Sequence, residues 1–161
     1  MASDHKDILY IERSKNELDL ARAIFKLSTD THLKIELELK EDSTFFSNVI
    51  ATSYYCIFYA AKALLISKGI TTDAPEEHRK TLEEFENLVH AGIIDVELLQ
   101  IYKSIVIKAD ELLGIFKKEK SKRGRFTYQR LPQANLGIAE ESLVHAEKFF
   151  KNGNLIVRNN R

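Results

Sequence analysis

STFFSNVIATSYYCIFYAAKALLISKGI, residues 43–70, has no charged side chain from Ser43 to Ala61, although charged residues make up 30% of the chain. A run so poor in charge has to be enclosed by the rest of the molecule. Phe46, Val49, Ile50, Ser53, Tyr54, Ile57, Phe58, Ala61, Leu64 and Leu65 recur at three- and four-residue steps, the period that stacks side chains on one helical face. The stretch therefore predicts a central helix, with Asp42 or Ser43 as N-cap and Gly69 closing the C-terminus in the left-handed conformation. It does not predict a membrane span. Six Ser, Thr or Asn residues lie within the uncharged run, and Lys62 ends it where a span needs about 20 apolar residues.

Working outward, residues 7–28 read as an amphipathic helix with Ile8, Ile11, Leu18, Ala21, Ile24 and Phe25 inward and Arg13 and Arg22 on the solvated face. Residues 29–42 are ambiguous. Leu33, Ile35, Leu37 and Leu39 alternate as in a strand, yet Glu, Leu and Lys favour helix and no second alternating segment offers a partner, so helix is expected. After Gly69, Asp73, Pro75, Glu76 and Glu77 mark the start of a helix at about 75–90, and Gly92 follows its end. A further helix spans 95–118, and Pro132 precedes a last one at about 133–151. The tail 152–161 is expected to fray.

At 161 residues, with no repeat or linker, the chain is expected to form a single domain, its core over about 8–151, that buries about 70% of its unfolded surface. The predicted fold is all-α, an antiparallel bundle of about five helices. Cys56 is the only cysteine and lies in the apolar helix, which reads as a buried, inert thiol and gives no disulfide framework. The N-terminus lacks an export pattern, so a cytoplasmic protein is expected. With 24 acidic and 24 basic residues the formal net charge is zero, and only local clustering can argue for nucleic acid.

Such clustering occurs at 117–130. Lys117, Lys118, Lys120, Lys122, Arg123, Arg125 and Arg130 face Glu119 alone, with Phe126 and Tyr128 interleaved. Cations neutralise phosphates and aromatic rings stack on unpaired bases, which suits a nucleotide or single-stranded RNA. The same composition also suits a solvated helix end whose cations complement the dipole. No metal constellation occurs: there is no His-Glu-x-x-His, no cysteine pair, and Glu83, Glu84 and Glu86 have ordinary helix-surface spacing. No glycine-rich phosphate loop is present either, and no cofactor is expected.

Tyr54-Tyr55, Phe58, Ala60-Ala61-Lys62-Ala63-Leu64-Leu65 and Lys68-Gly69-Ile70 together resemble the signature helix of the HEPN domain family. The resemblance covers roughly residues 8–151 and is strongest at 54–70. It implies a HEPN-like helical bundle, commonly a homodimer. Active members are metal-independent ribonucleases with an Arg followed four to six residues later by His, and many pair with a minimal nucleotidyltransferase as a toxin-antitoxin couple. Other members are non-catalytic nucleotide- or RNA-binding modules. In one branch the motif ends in Tyr instead, and Arg123 to Tyr128 matches that spacing, with Phe126 and Thr127 where Ala-Asp is usual.

None of His5, His32, His78, His90 and His145 follows an arginine at the ribonuclease spacing. Tyrosine, with a reference pKa of about 10, is a poor base for deprotonating a 2′-OH. If the site is catalytic, the resemblance makes Arg123 the phosphate ligand and Tyr128 a hydrogen-bond donor or weak acid. The expected binding set is Arg123, Arg125, Tyr128, Lys122, Arg130 and His78, of which the basic cluster supplies the cations and the resemblance the pairing of Arg123 with Tyr128 and His78, the last matching a histidine between the second and third helices of that branch. From the residues alone, His78 is a surface histidine near a helix start. The expected function is nucleotide or RNA binding, with a homodimer and a nucleotidyltransferase-like partner implied. The alternatives are a non-catalytic protein-interaction scaffold and a weak metal-independent ribonuclease.

Overall fold

The computed structural model describes residues 5–113 and 135–159, and these are all-helical, with no strand among them. The elements are α1 (Lys6–Thr29), α2 (Thr31–Glu36), α3 (Phe46–Ser67), α4 (Glu77–His90), α5 (Val96–Leu113) and α6 (Leu136–Asn159). The five long helices of the sequence reading are present among the described residues and α2 is a short sixth; the expected helical positions 114–118 and 133–134 lie outside the described residues.

Helix α3 is the centre, as its composition requires. Val49, Ile50, Tyr54, Ile57, Ala60, Ala61 and Leu64 are fully buried, and α1 and α6 form its largest contacts while α4 and α5 close the other side. Each fully buried aliphatic or aromatic side chain contributes about 1.5–3 kcal/mol, so this helix supplies much of the drive to fold. It is long and apolar enough to cross a membrane by composition, and most of that window is buried within the bundle. The aromatic pairs Tyr10–Tyr59 and Phe25–Phe46 set α1 antiparallel to α3, whereas α6 runs parallel to α3, with Cys56 beside Ala146 and Ala60 beside Gly153. Phe85, Tyr102 and Phe149 join α4, α5 and α6 through ring contacts of 5.4–5.9 Å.

Helix ends agree with the sequence where glycine sets them and differ where a polar cap was expected. Gly69 is left-handed (φ 80°), its N–H donates to Ile66 O at 2.9 Å, and the Ile70 N–H donates to Leu65 O at 2.9 Å. Gly92 (φ 77°) closes α4 in the same way. This paired bonding satisfies carbonyls that the helix leaves free. At the start of α3, neither Asp42 nor Ser43 caps. The helix begins at Phe46, and the Phe45 N–H donates across to Ser28 Oγ at 2.8 Å, a tertiary bond. Helix α4 begins at Glu77 because Glu76 is left-handed (φ 58°), which stops the helix from extending back to Pro75.

Two further departures concern length. Within 29–42 only Thr31–Glu36 is helical, capped by Asp30, which accepts from the Leu33 N–H at 3.1 Å. Left-handed Glu38 then turns the chain, and buried Lys34 ties the turn down by donating to Glu41 O at 2.9 Å. The tail expected to fray from 152 is instead helix as far as Asn159, the end of the described residues. Gly153 lies against Ala60 and Leu64 and Val157 is fully buried, so packing on α3 holds this turn where local propensity would not.

Candidate functional site

Three helices bring a set of aromatic and ionisable side chains to one face. Helix α1 contributes Tyr10, Arg13 and Glu17, at steps of three and four that place them on a single stripe. Helix α3 contributes Tyr55, Tyr59 and Lys62 by the same rule, and α4 contributes Glu77 and His78 in its first turn. The phenol rings form a strip. Tyr10 lies 5.9 Å from Tyr59, Tyr59 lies 6.1 Å from Tyr55, and Tyr55 meets His78 edge-on at 6.1 Å. All four are half-buried, so each keeps part of its surface in solvent. Arg13 is exposed, its Cζ 5.4 Å from the centre of Tyr10 and 5.8 Å from that of Tyr59, a geometry that attracts a guanidinium to aromatic faces.

Beneath the strip lies a fixed layer. His78 stacks on Phe58 at 4.2 Å, and its Nδ1 is hydrogen-bonded to the Tyr54 hydroxyl at 2.8 Å. Burial pushes the Tyr54 phenol far above its ordinary range and holds the His78 imidazole below its own, Lys62 adding to the latter shift and Glu77 opposing it. The pair is therefore a neutral phenol and a neutral imidazole at pH 7. Lys62 ended the uncharged run in sequence, yet it is only 4% exposed. Its ammonium donates to Glu77 and, at 2.9 Å, to Thr72 O, and it lies 5.1 Å from the Tyr10 ring centre. These bonds meet the requirement that a buried charge be paired.

Glu17 is the other unusual group. It is half-buried on the α1 stripe that carries Tyr10 and Arg13, burial raises its pKa, and its charge contributes to the raised phenol pKa values of Tyr55 and Tyr59. It has no hydrogen bond or ion pair among the described residues. Cys56, by contrast, is sealed inside: burial pushes its thiol up to about 12, and Ser14 Oγ donates to its backbone carbonyl at 2.6 Å.

Of the site residues expected from sequence, His78 belongs to this face. Lys122, Arg123, Arg125, Tyr128 and Arg130 lie outside the described residues. Tyr10, Glu17, Tyr55, Tyr59 and Lys62 were not singled out as ligand-binding residues. Their signal was available as three-and-four spacing of polar aromatics on α1 and α3, but it is shared by any helix face that packs on a neighbour. Among the described residues no group of three or more His, Cys, Asp and Glu side chains could hold a metal ion.

A second surface feature is a groove of about 560 Å³ between α1 and α6, in which Leu18 and Phe150 lie among Lys15, Arg22, Lys148 and Lys151. Its cations are largely engaged: Arg22 pairs with Glu147 at 3.3 Å and Lys148 with Glu97. No protein-family model matches the chain, and no curated protein matches it.

Proposed function

We propose that this protein binds a nucleotide or single-stranded RNA, as a HEPN-type module acting as a homodimer and as one half of a toxin-antitoxin couple with a nucleotidyltransferase-like partner. The supporting observation is the half-exposed strip Tyr10–Tyr59–Tyr55–His78 with Arg13 over two of its rings. Unpaired bases stack on such surfaces with little dependence on sequence, and arginine adds both stacking and charge. Phosphate neutralisation falls to the basic segment around Arg123 and Arg125, with Tyr128 as its hydrogen-bonding aromatic.

The test is retention and cleavage of a mixed single-stranded RNA in EDTA by the wild type, Tyr59→Ala and Arg123→Ala. Loss of one stacking ring is expected to weaken binding by about 1–3 kcal/mol. Loss of Arg123 is expected to flatten the salt dependence by about one phosphate contact. Cleavage that disappears in Arg123→Ala would make the protein a metal-independent ribonuclease. Absence of binding in the wild type removes the proposal.

A protein-interaction scaffold is the second reading, favoured by the α1–α6 groove and by Val144 and Leu155, 57% and 60% exposed on one stripe of α6. Association with a protein partner that is insensitive to salt and lost in Val144→Asp supports it.

A further inference from the structure

We propose that Glu17 and Arg13 make the tyrosine strip a site for guanine rather than for bases in general. This rests on the nucleotide-binding reading above and adds the identity of the base. Aromatic faces do not discriminate between bases, because every base has a π-face. Selectivity has to come from polar groups at the edge of the strip, and α1 supplies two of opposite kind, one turn apart.

Glu17 is a half-buried carboxylate one turn beyond Arg13 on the α1 stripe whose Tyr10 packs on Tyr59, with no hydrogen bond or ion pair among the described residues. An ionised carboxylate only accepts, through two oxygens side by side. Guanine is the base whose Watson–Crick edge presents two adjacent donors, N1–H and the N2 amino group. Adenine and cytosine pair one amino donor with a ring acceptor, and uracil sets its single N–H between two carbonyls. Each of these puts an acceptor against a carboxylate oxygen. Charge-assisted, bidentate hydrogen bonds are the strong and geometrically specific ones, so Glu17 favours guanine on chemistry alone.

Arg13 reinforces the choice. Its guanidinium only donates, and guanine offers O6 and N7 as neighbouring acceptors, the commonest specific partner of arginine. Arg13 and Glu17 are four residues apart on one helix face, a separation of about 5–6 Å between Cβ atoms. Guanine presents its donor pair and its acceptor pair on adjoining edges, so a base seated at the solvent side of the strip can meet both. Adenine, with an amino donor in place of O6, opposes the arginine as well as the carboxylate.

The experiment is fluorescence anisotropy with fluorescein-labelled five-nucleotide RNAs, UUGUU, UUAUU, UUCUU and UUUUU, against the wild type, Glu17→Gln and Tyr59→Ala. The wild type is expected to prefer UUGUU over the others by about tenfold or more. Glu17→Gln should cut that ratio severalfold, since an amide presents one donor and one acceptor, and leave only the share that Arg13 contributes. Tyr59→Ala should weaken all four RNAs together. Equal affinities in the wild type, with Tyr59→Ala still weakening them, overturn the guanine assignment and leave nucleic-acid binding standing. A guanine preference undiminished in Glu17→Gln also overturns it, by placing selectivity away from the carboxylate. No binding of any RNA by a folded wild type removes both.

Discussion

His78 is neutral in the folded protein because burial disfavours its charged form, and this has a consequence for stability. The unfolded chain, with a histidine pKa of about 6.5, takes up the proton at a higher pH than the folded one. Its contribution to stability is therefore complete above that value and is lost as pH falls through the lower folded value. Between pH 7.5 and 5 the melting temperature should fall less steeply in His78→Gln than in the wild type; parallel slopes would remove His78 as a cause. The Lys62–Glu77 pair makes a second residue-level case. Lys62→Met keeps the buried stem and removes both charge and donor, whereas Glu77→Ala leaves a buried ammonium with the Thr72 carbonyl as its remaining hydrogen-bond acceptor. Urea denaturation should show Glu77→Ala destabilised by about 1–3 kcal/mol and Lys62→Met by less. The reverse order would mean that the pair itself is the larger stabilising term.

At the level of elements, the contact of α3 with α6 is close at Gly153, where an added Cβ would meet the Ala60 Cβ at 3.5 Å and Leu64 Cδ1 at 3.8 Å. Those are ordinary van der Waals distances, and the residue is inside a helix. Gly153→Ala should therefore stabilise the protein by roughly 0.5–1 kcal/mol, because alanine loses less backbone entropy on folding. Gly153→Leu should destabilise it, since a branched side chain has to push α6 away from α3, at about 1–3 kcal/mol. Thermal melts of the two variants moving in opposite directions is the expected result. Loss of stability in both would show that the helices are packed more tightly here than the distances allow. The closeness was not legible in advance. A glycine in NGNLIVRNNR reads as a helix breaker, and only the facing Ala60 shows it to be a packing residue.

For the whole molecule, the consequence is that the C-terminal turns belong to the core. A chain ending at Lys151 loses the contacts of Gly153, Val157 and half-buried Ile156. Burial of a valine side chain alone contributes about 1.5–3 kcal/mol, so this truncation should lower stability by at least that order. A truncated protein with unchanged denaturant midpoint would return the tail to the frayed state that its composition suggests. The architecture as a whole was legible, because apolar spacing on α1, α3, α5 and α6 marks an inward face on each long helix. The candidate site was legible only at His78 among the described residues, since Tyr10, Glu17, Tyr55 and Tyr59 follow the same spacing as their core neighbours and differ only in facing the rim.

Local physics lay in the sequence: that five long helices form, where Gly69 and Gly92 close two of them, and that the uncharged run from Ser43 to Ala61 is the centre. These depend on side-chain period and on backbone conformations that glycine adopts without strain, both properties of neighbouring residues. Tertiary structure alone decided that Lys62 is buried, that Ser28 rather than a local cap completes the start of α3, and that α1, α3 and α4 assemble one aromatic face. Periodicity states that a helix has an inward side. Which neighbour that side meets, and which of its residues fall at the solvent edge, is settled only when the helices pack.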